Sequence, residues 1–288
     1  MKAGFWTVPE GEDTPLSLLP IGRDEESGSR HTGTGALTFL ATSDAATLIA
    51  RCPGVARLLP AIAEALDRQT ANAPGILFDL GQALGAEELR LMDELLGEGE
   101  VAATVALPDG VVAHVQESVF AGLWRVRFTG ADNRLVADYA EVSAVPQAVR
   151  RAAAMTTPSF AIGTPPAGAM NVLPVLTEIA GRAASHVEGA ANHVISLSLL
   201  PMSPDDLVFL AETLGTGPVR LVSRGYGTCA VQATAVRNVW SVQFFNVADA
   251  ILLDTIEVGD VPTVVIAAEE DFRDAAVRFR EIEEAYFK

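Results

Sequence analysis

Ser118-Val119-Phe120-Ala121-Gly122-Leu123-Trp124-Arg125-Val126-Arg127-Phe128 can be laid on Thr234-Ala235-Val236-Arg237-Asn238-Val239-Trp240-Ser241-Val242-Gln243-Phe244, a displacement of 234 − 118 = 116 residues. At the same displacement Asp138 meets Asp254, and Glu141-Val142-Ser143-Ala144-Val145-Pro146 meets Glu257-Val258-Gly259-Asp260-Val261-Pro262. Upstream, Leu96-Gly97-Glu98-Gly99-Glu100-Val101 lies over Leu214-Gly215-Thr216-Gly217-Pro218-Val219 at 214 − 96 = 118, and Leu59-Pro60 over Leu173-Pro174 at 173 − 59 = 114. Four blocks in one order, drifting by no more than a loop gains or loses, predict an internal duplication. Two units are too few for a solenoid, so a pair of similar domains is the simpler outcome.

Each copy reads alike locally. In the second, Leu173, Leu176, Ile179, Ala180 and Ala183 form an apolar stripe at helical spacing, and Val194 to Leu197 is short enough for a strand. Ser203-Pro204-Asp205-Asp206 then supplies a capping oxygen, a proline at the first helical position and an acid at N3, with Gly215 as the stop. In the first, Leu59, Ile62, Ala63 and Leu66 carry the opening helix, Ile76 to Leu80 the strand, and Leu89, Met92, Leu95 and Leu96 the next helix. Short β-rich runs follow near 100–106, 111–118, 123–129 and 134–141, where Trp124, Val126 and Phe128 alternate with Arg125 and Arg127. That alternation predicts one wet and one packed face.

The predicted fold class is therefore α+β, two tandem copies of one unit, each a small mainly antiparallel sheet packed with helices. Residues 1–50 lie outside the repeat and carry Pro9, Pro15, Pro20 and several glycines, which predicts an extension that is partly extended or disordered. The first unit is placed at 51–156, a Pro/Gly-rich linker at 157–169 and the second unit at 170–288. A last helix through Phe272, Ala275, Ala276, Phe279, Ile282 and Tyr286 should cover a core or the interface between repeats.

Apolar residues make up 49% of the 288 and charged residues 20%, enough to bury a core. The formal charge, 20 − 37 = −17, repels phosphate backbones and anionic lipid, so nucleic acid is not an expected partner; an acidic surface can steer a basic segment of another protein, though plain solubility is the more ordinary reason for such a charge. Cys52 and Cys229 are the only cysteines, which suits a reducing cytoplasmic interior. The beginning of the chain lacks the apolar run of an export signal, and no stretch is long and apolar enough to span a membrane.

Strong catalytic and cofactor motifs are lacking: no CxxC, HExxH, GxxxxGK[ST] or GxSxG occurs, and no cofactor is expected. His186 and His193, with Glu188 nearby, are the only local ligand candidates, and capping or surface roles suit them better. The repeated acids Asp138/Asp254 and Glu141/Glu257 sit before a strand exit, where satisfying backbone N–H groups is their ordinary work. Polar and aromatic residues are densest in Ser223-Arg224-Gly225-Tyr226-Gly227-Thr228-Cys229, followed by Arg237, Asn238 and Trp240. Two glycines can present Tyr226 beside Arg224 as an interface anchor; the alternative is a hairpin with Tyr226 and Trp240 in the core.

Residues 223–262 also resemble the C-terminal conserved region of the HupH/HyaF family of hydrogenase expression proteins. The resemblance rests on Ser-Arg-Gly-Tyr-Gly-x-Cys, Thr-x-x-x-Asn-x-Trp-x-Val-Gln-x-Phe-Asn and Glu-Val-x-x-Val-Pro, in that order. Met170-Asn171 and Leu214-Gly215-x-Gly217 extend it upstream, and the first copy resembles the family's more divergent N-terminal half. Thr228 stands where many relatives carry Asn. The resemblance implies a cytoplasmic, non-enzymatic maturation chaperone for an uptake nickel–iron hydrogenase. Its expected partner is the iron–sulfur small subunit precursor, with its twin-arginine signal, and possible company includes other accessory proteins. Arg224, Tyr226, Cys229, Arg237, Asn238 and Trp240 become the expected partner-binding set, with Arg224, Tyr226, Asn238 and Trp240 clustered at one loop. A metal or thiol enzyme using Cys229 with His186 or His193, and a structural part of a larger complex, are the alternatives.

Overall fold

The computed structural model describes residues 45–225 and 227–287. Its first half runs α1 (Ala45–Arg51), α2 (Pro53–Arg68), β1 (Ile76–Asp79), α3 (Leu80–Ala83), α4 (Ala86–Leu96), β2 (Val101–Ala106), β3 (Val112–Glu117), β4 (Leu123–Thr129), β5 (Leu135–Val142) and α5 (Gln147–Ala154). The second runs α6 (Val172–Ser185), β6 (His193–Ser196), α7 (Pro204–Leu214), β7 (Thr216–Ser223), β8 (Thr228–Thr234), β9 (Val239–Phe245), β10 (Ile251–Val258) and α8 (Glu269–Tyr286). Of the predicted N-terminal extension, residues 1–44 lie outside the described residues; Ala45 onward is helical, and Ile49 packs against the first core.

Local chemistry starts and stops these elements. Ser203 Oγ accepts the Asp206 N–H while the Asp206 carboxylate accepts that of Ser203, closing a capping box around Pro204. Helices α4 and α7 end at Gly97 and Gly215, with φ of 57° and 62°, left-handed positions that a side chain would strain.

The strands form one sheet in the order β1-β5-β4-β3-β2-β7-β8-β9-β10-β6, all neighbours antiparallel. The expectation of a separate small sheet in each half is corrected here. β2 and β7 pair from Val101 with Ser223 to Val105 with Val219, so two five-stranded segments fuse at a seam. Either segment alone would leave a β2 or β7 edge of open N–H and C=O groups, and pairing satisfies both at once. Outward from the seam the order is β2-β3-β4-β5-β1 on one side and β7-β8-β9-β10-β6 on the other.

Side-chain bonds recur at the displacement seen in the sequence. Trp124 Nε1 donates to Ser143 O at 2.8 Å and Trp240 Nε1 to Gly259 O at 3.3 Å. Ser118 brackets Phe120 as Thr234 brackets Val236, each hydroxyl bonding both the N–H and the C=O two residues on. Gln116 Nε2 reaches Gly99 O and Val101 O; Gln232 Nε2 reaches Gly217 O and Val219 O.

Three apolar clusters hold the layers. Trp124, Val126, Trp240 and Val242 face a central core closed by Val149 and Ala152 of α5. Leu123, Ala140 and Val142 face the opposite way, into a core with α2, α4 and α8. Val239, Ile256 and Val258 face a third core, with α6 and α7. Because residues 123 and 124, like 239 and 240, alternate across the sheet, the second and third of these cores share one face and the central core has the other. Arg125 is consequently not on a wet face, as its alternation with Trp124 suggested: α4 lies over it and it is buried.

The two halves also trade segments. After α5 the chain crosses to the second half, where Thr157 N donates to Ala235 O, Arg237 N to Thr157 O, and Phe160 joins the third core. In return α8 lies on the first half against α2, with Phe279 edge-on to Phe120 at 5.0 Å and Arg278 bonded to Val119 O.

Candidate functional site

The predicted partner-binding residues are distributed along β8 and do not converge. Arg224 is exposed in the turn before β8, its N–H on Glu100 O at 3.0 Å. Arg237 and Asn238 lie past the far end of that strand, whose seven residues separate the two turns by about 20 Å. Arg237 is exposed and donates to Thr156 O; Asn238 adopts φ of 60°, a left-handed position that Asn tolerates, and its C=O receives Gly259 N–H. Trp240 and Cys229 are buried in the central core. Tyr226 lies outside the described residues. Of the expected cluster, Arg224 and Asn238 therefore stand at opposite ends of β8, and the Trp240 indole serves the core.

The thiol and imidazole chemistry is engaged elsewhere. Burial, with the Glu257 carboxylate adding to it, pushes the Cys229 thiol up to about 12, so it stays protonated near neutral pH. His186 Nε2 bonds Asp260 at 2.9 Å and His193 Nε2 bonds Glu178 at 2.7 Å. Among the described residues no three His, Cys, Asp or Glu side chains gather as metal ligands do. The alternative of a Cys229–histidine site is left without geometry to support it.

The repeated carboxylates are likewise apart. Asp138 and Asp254 stand on β5 and β10, seven strand spacings or about 34 Å across the sheet. Asp138 receives a two-pronged bond from Arg125, 2.5 Å from Nε and 2.7 Å from Nη2, and Asp93 of α4 joins the same guanidinium at 2.9 Å. At the equivalent place Asp254 has Gln243 for a partner, and burial raises its carboxyl above the ordinary range. Glu141 receives Gln147 N–H and Glu257 receives the Asn192 amide. These acids brace loops and strands.

One surface was not anticipated from the sequence. β6 pairs with β10 only along Thr255–Val258, and β1 with β5 only along Ile76–Val142 to Asp79–Tyr139. The outer edge of Ile251–Leu253 has no strand beside it among the described residues, and all three side chains are exposed, Leu252 at 65%. Next to it the turn Leu197–Leu199 holds β10 through Asp254 N–H on Ser198 Oγ, and leaves Leu199 83% and Leu200 39% exposed. The corresponding apolar pair of the first half, Leu135 and Val136, is also exposed. Apolar residues in strand-length runs read as core, so the pattern carried no sign of this edge.

The fold and these residues make a braced scaffold with open apolar edges, and comparison with known proteins supplies its class: a hydrogenase expression/formation protein. A family model described as "HupH hydrogenase expression protein, C-terminal conserved region" matches residues 54–160 and again 169–286. The chain belongs to the HupH family. It is 54% identical, over the full length of both chains, to "Hydrogenase expression/formation protein HupH" of Rhizobium leguminosarum bv. viciae. It is 35% identical to "Hydrogenase-1 operon protein HyaF" of Escherichia coli (strain K12), over 69% of this chain and 70% of that one. A solved structure of the hydrogenase expression protein HupH from Thiobacillus denitrificans ATCC 25259 aligns at 33% identity over 39% of this chain and 96% of its own, with a TM-score of 0.36. Among the described residues no helix is long and apolar enough to cross a membrane.

Proposed function

We propose that this chain is a cytoplasmic maturation chaperone for an uptake nickel–iron hydrogenase that holds or protects the iron–sulfur small subunit precursor before assembly and export. The observation that carries the reading is family membership along the entire chain, at 54% identity to a hydrogenase expression/formation protein. We further propose that 51–156 and 170–288 are two copies of one α+β unit, joined by 157–169. One family model matching both spans, the mirrored strand order about the β2–β7 seam and the side-chain bonds repeated at 116 residues support it. Of the predicted contact set, Arg224 and Arg237 are exposed and suited to a partner, whereas Cys229 and Trp240 hold the strands.

Affinity capture of the chain from hydrogenase-producing cells tests this. The small subunit precursor should co-purify, less at high salt, because a chain of net charge −17 attracts a basic segment through forces that salt screens. Recovery of no hydrogenase subunit would reject the chaperone role, and equal capture at low and high salt would reject charge as its driver.

A further inference from the structure

We infer that Ser241, Gln243 and Asp254 hold one hard monovalent cation, sodium or potassium, in the place where the first half carries its own Arg125 guanidinium. The inference is independent of the chaperone reading above. It comes from two equivalent places in one molecule.

At the displacement of 116 residues Arg125, Arg127 and Asp138 become Ser241, Gln243 and Asp254, and at 118 residues Asp93 becomes Ala211. In the first half these side chains satisfy one another: Arg125 reaches both Asp138 and Asp93, and Arg127 bonds Asp93 as well. In the second half a single charge is left, the Asp254 carboxylate, 9% exposed. Its neighbours are neutral: Gln243 donates to Oδ2 at 3.0 Å, and the Ser198 hydroxyl receives the Asp254 N–H. Asp254 Oδ1 has no partner among the described residues, and neither do Gln243 Oε1 and Ser241 Oγ, both on fully buried side chains. A carboxylate buried without a counter-charge is costly, so something positive completes this place.

The three side chains share one face of the sheet. Gln243 and Asp254 are directly opposite in the β9–β10 ladder, and Ser241 stands two residues before Gln243 on the same strand. From the position equivalent to Ser241, Arg125 Nε comes to 2.5 Å from its carboxylate. A serine there leaves a gap of roughly 5 Å, about the span of one ion held between two oxygens.

Donor chemistry selects the ion. Carboxylate, amide and hydroxyl oxygens are hard ligands, and the Cys229 thiol faces the opposite core, so softer transition metals are poorly served. Calcium asks for about six to eight oxygens and usually several carboxylates. One carboxylate balances one positive charge, which leaves this place as neutral as its counterpart. Without the ion a proton serves instead, toward which burial already pushes the carboxyl.

The test is thermal unfolding of the full chain in sodium, potassium and tetramethylammonium chloride at one ionic strength and mildly alkaline pH. Tetramethylammonium is too wide for a closed place and serves as the control. The transition should lie about 2–4 °C higher in at least one of the two small ions. That gain should shrink as pH falls, because the proton competes for the same carboxylate. Asp254→Asn keeps the shape and an acceptor for Gln243 but not the charge, and should show no gain. Ser241→Ala, which removes one of the three oxygens, should show a smaller one and answers the question if Asp254→Asn does not fold. Equal transitions in all three salts would mean that a proton or a water completes the place, and would overturn the proposal. A gain that both variants retain would overturn it too, as a general effect of salt.

Discussion

Replacing Asp138 by Ala strands the Arg125 guanidinium, which is 6% exposed, and leaves it only Asp93, whose side chain is 49% exposed. Breaking a buried pair from one side costs about 3–5 kcal/mol; the surviving Asp93 contact reduces this to about 2–4 kcal/mol. For a body of this size that is a fall in Tm of about 4–16 °C. The equivalent Asp254 has no arginine: Ser241 occupies that place, the carboxyl Oδ1 lacks a hydrogen-bond partner among the described residues, and burial favours the protonated form. Asp254→Asn should therefore lie within about 1 kcal/mol of the unaltered chain, on the stabilising side near neutral pH. Urea unfolding followed by fluorescence of the buried Trp124 and Trp240 measures both variants. The reasoning is refuted if Asp138→Ala costs less than about 1 kcal/mol, or if Asp254→Asn costs as much as Asp138→Ala.

Glu117 is held up at about 7, first by burial and then by Asp271 and Glu100, against the donors Gly122 N–H and Val101 N–H. The folded state thus binds its proton more tightly than the unfolded chain, so stability falls as pH rises from the ordinary 4.5 toward about 7. Glu117→Gln should flatten that slope and add about 1–3 kcal/mol at mildly alkaline pH, read by denaturation at several pH values. Gly122→Ala places a Cβ 2.3 Å from Phe272 Cε1 at φ of 81°; it should cost about 2–4 kcal/mol and speed amide exchange throughout α8. Cys229 in the native chain should react with a disulfide reagent on the order of a hundredfold more slowly than after unfolding, and comparable rates would contradict its burial and protonated state.

Much of the secondary structure was legible because its causes are local. Ser203, Pro204 and Asp206 announce α7, Gly97 and Gly215 announce two helix ends, and the Trp-x-Val-x-Phe runs announce β4 and β9. The family was legible too, in the ordered residues from Ser223 to Pro262. What escaped the sequence depends on distant partners. Nothing in Val101–Val105 says that its neighbour is β7, and nothing in Arg125 says that a helix will cover it. Gln147–Ala154, eight residues long, was not singled out as the helix that closes the central core. Arg224 and Asn238 looked like neighbours because they stand 238 − 224 = 14 residues apart, a spacing that a strand between them converts into separation.

The exchange of α8 onto the first half sets an order of events during synthesis. Phe120, Leu123 and the apolar stripe of α2 are made long before Phe272 and Phe279, the residues that cover them. As the ribosome proceeds, that surface waits without its α8 cover until Glu269–Tyr286 has been translated. A premature stop just before Glu269 would accordingly leave the earliest-made core exposed, while α6 and α7, lying closer in sequence to the break, keep their own packing partners. Damage to the codons for Glu269–Tyr286 is felt in the core built around α2 and α4.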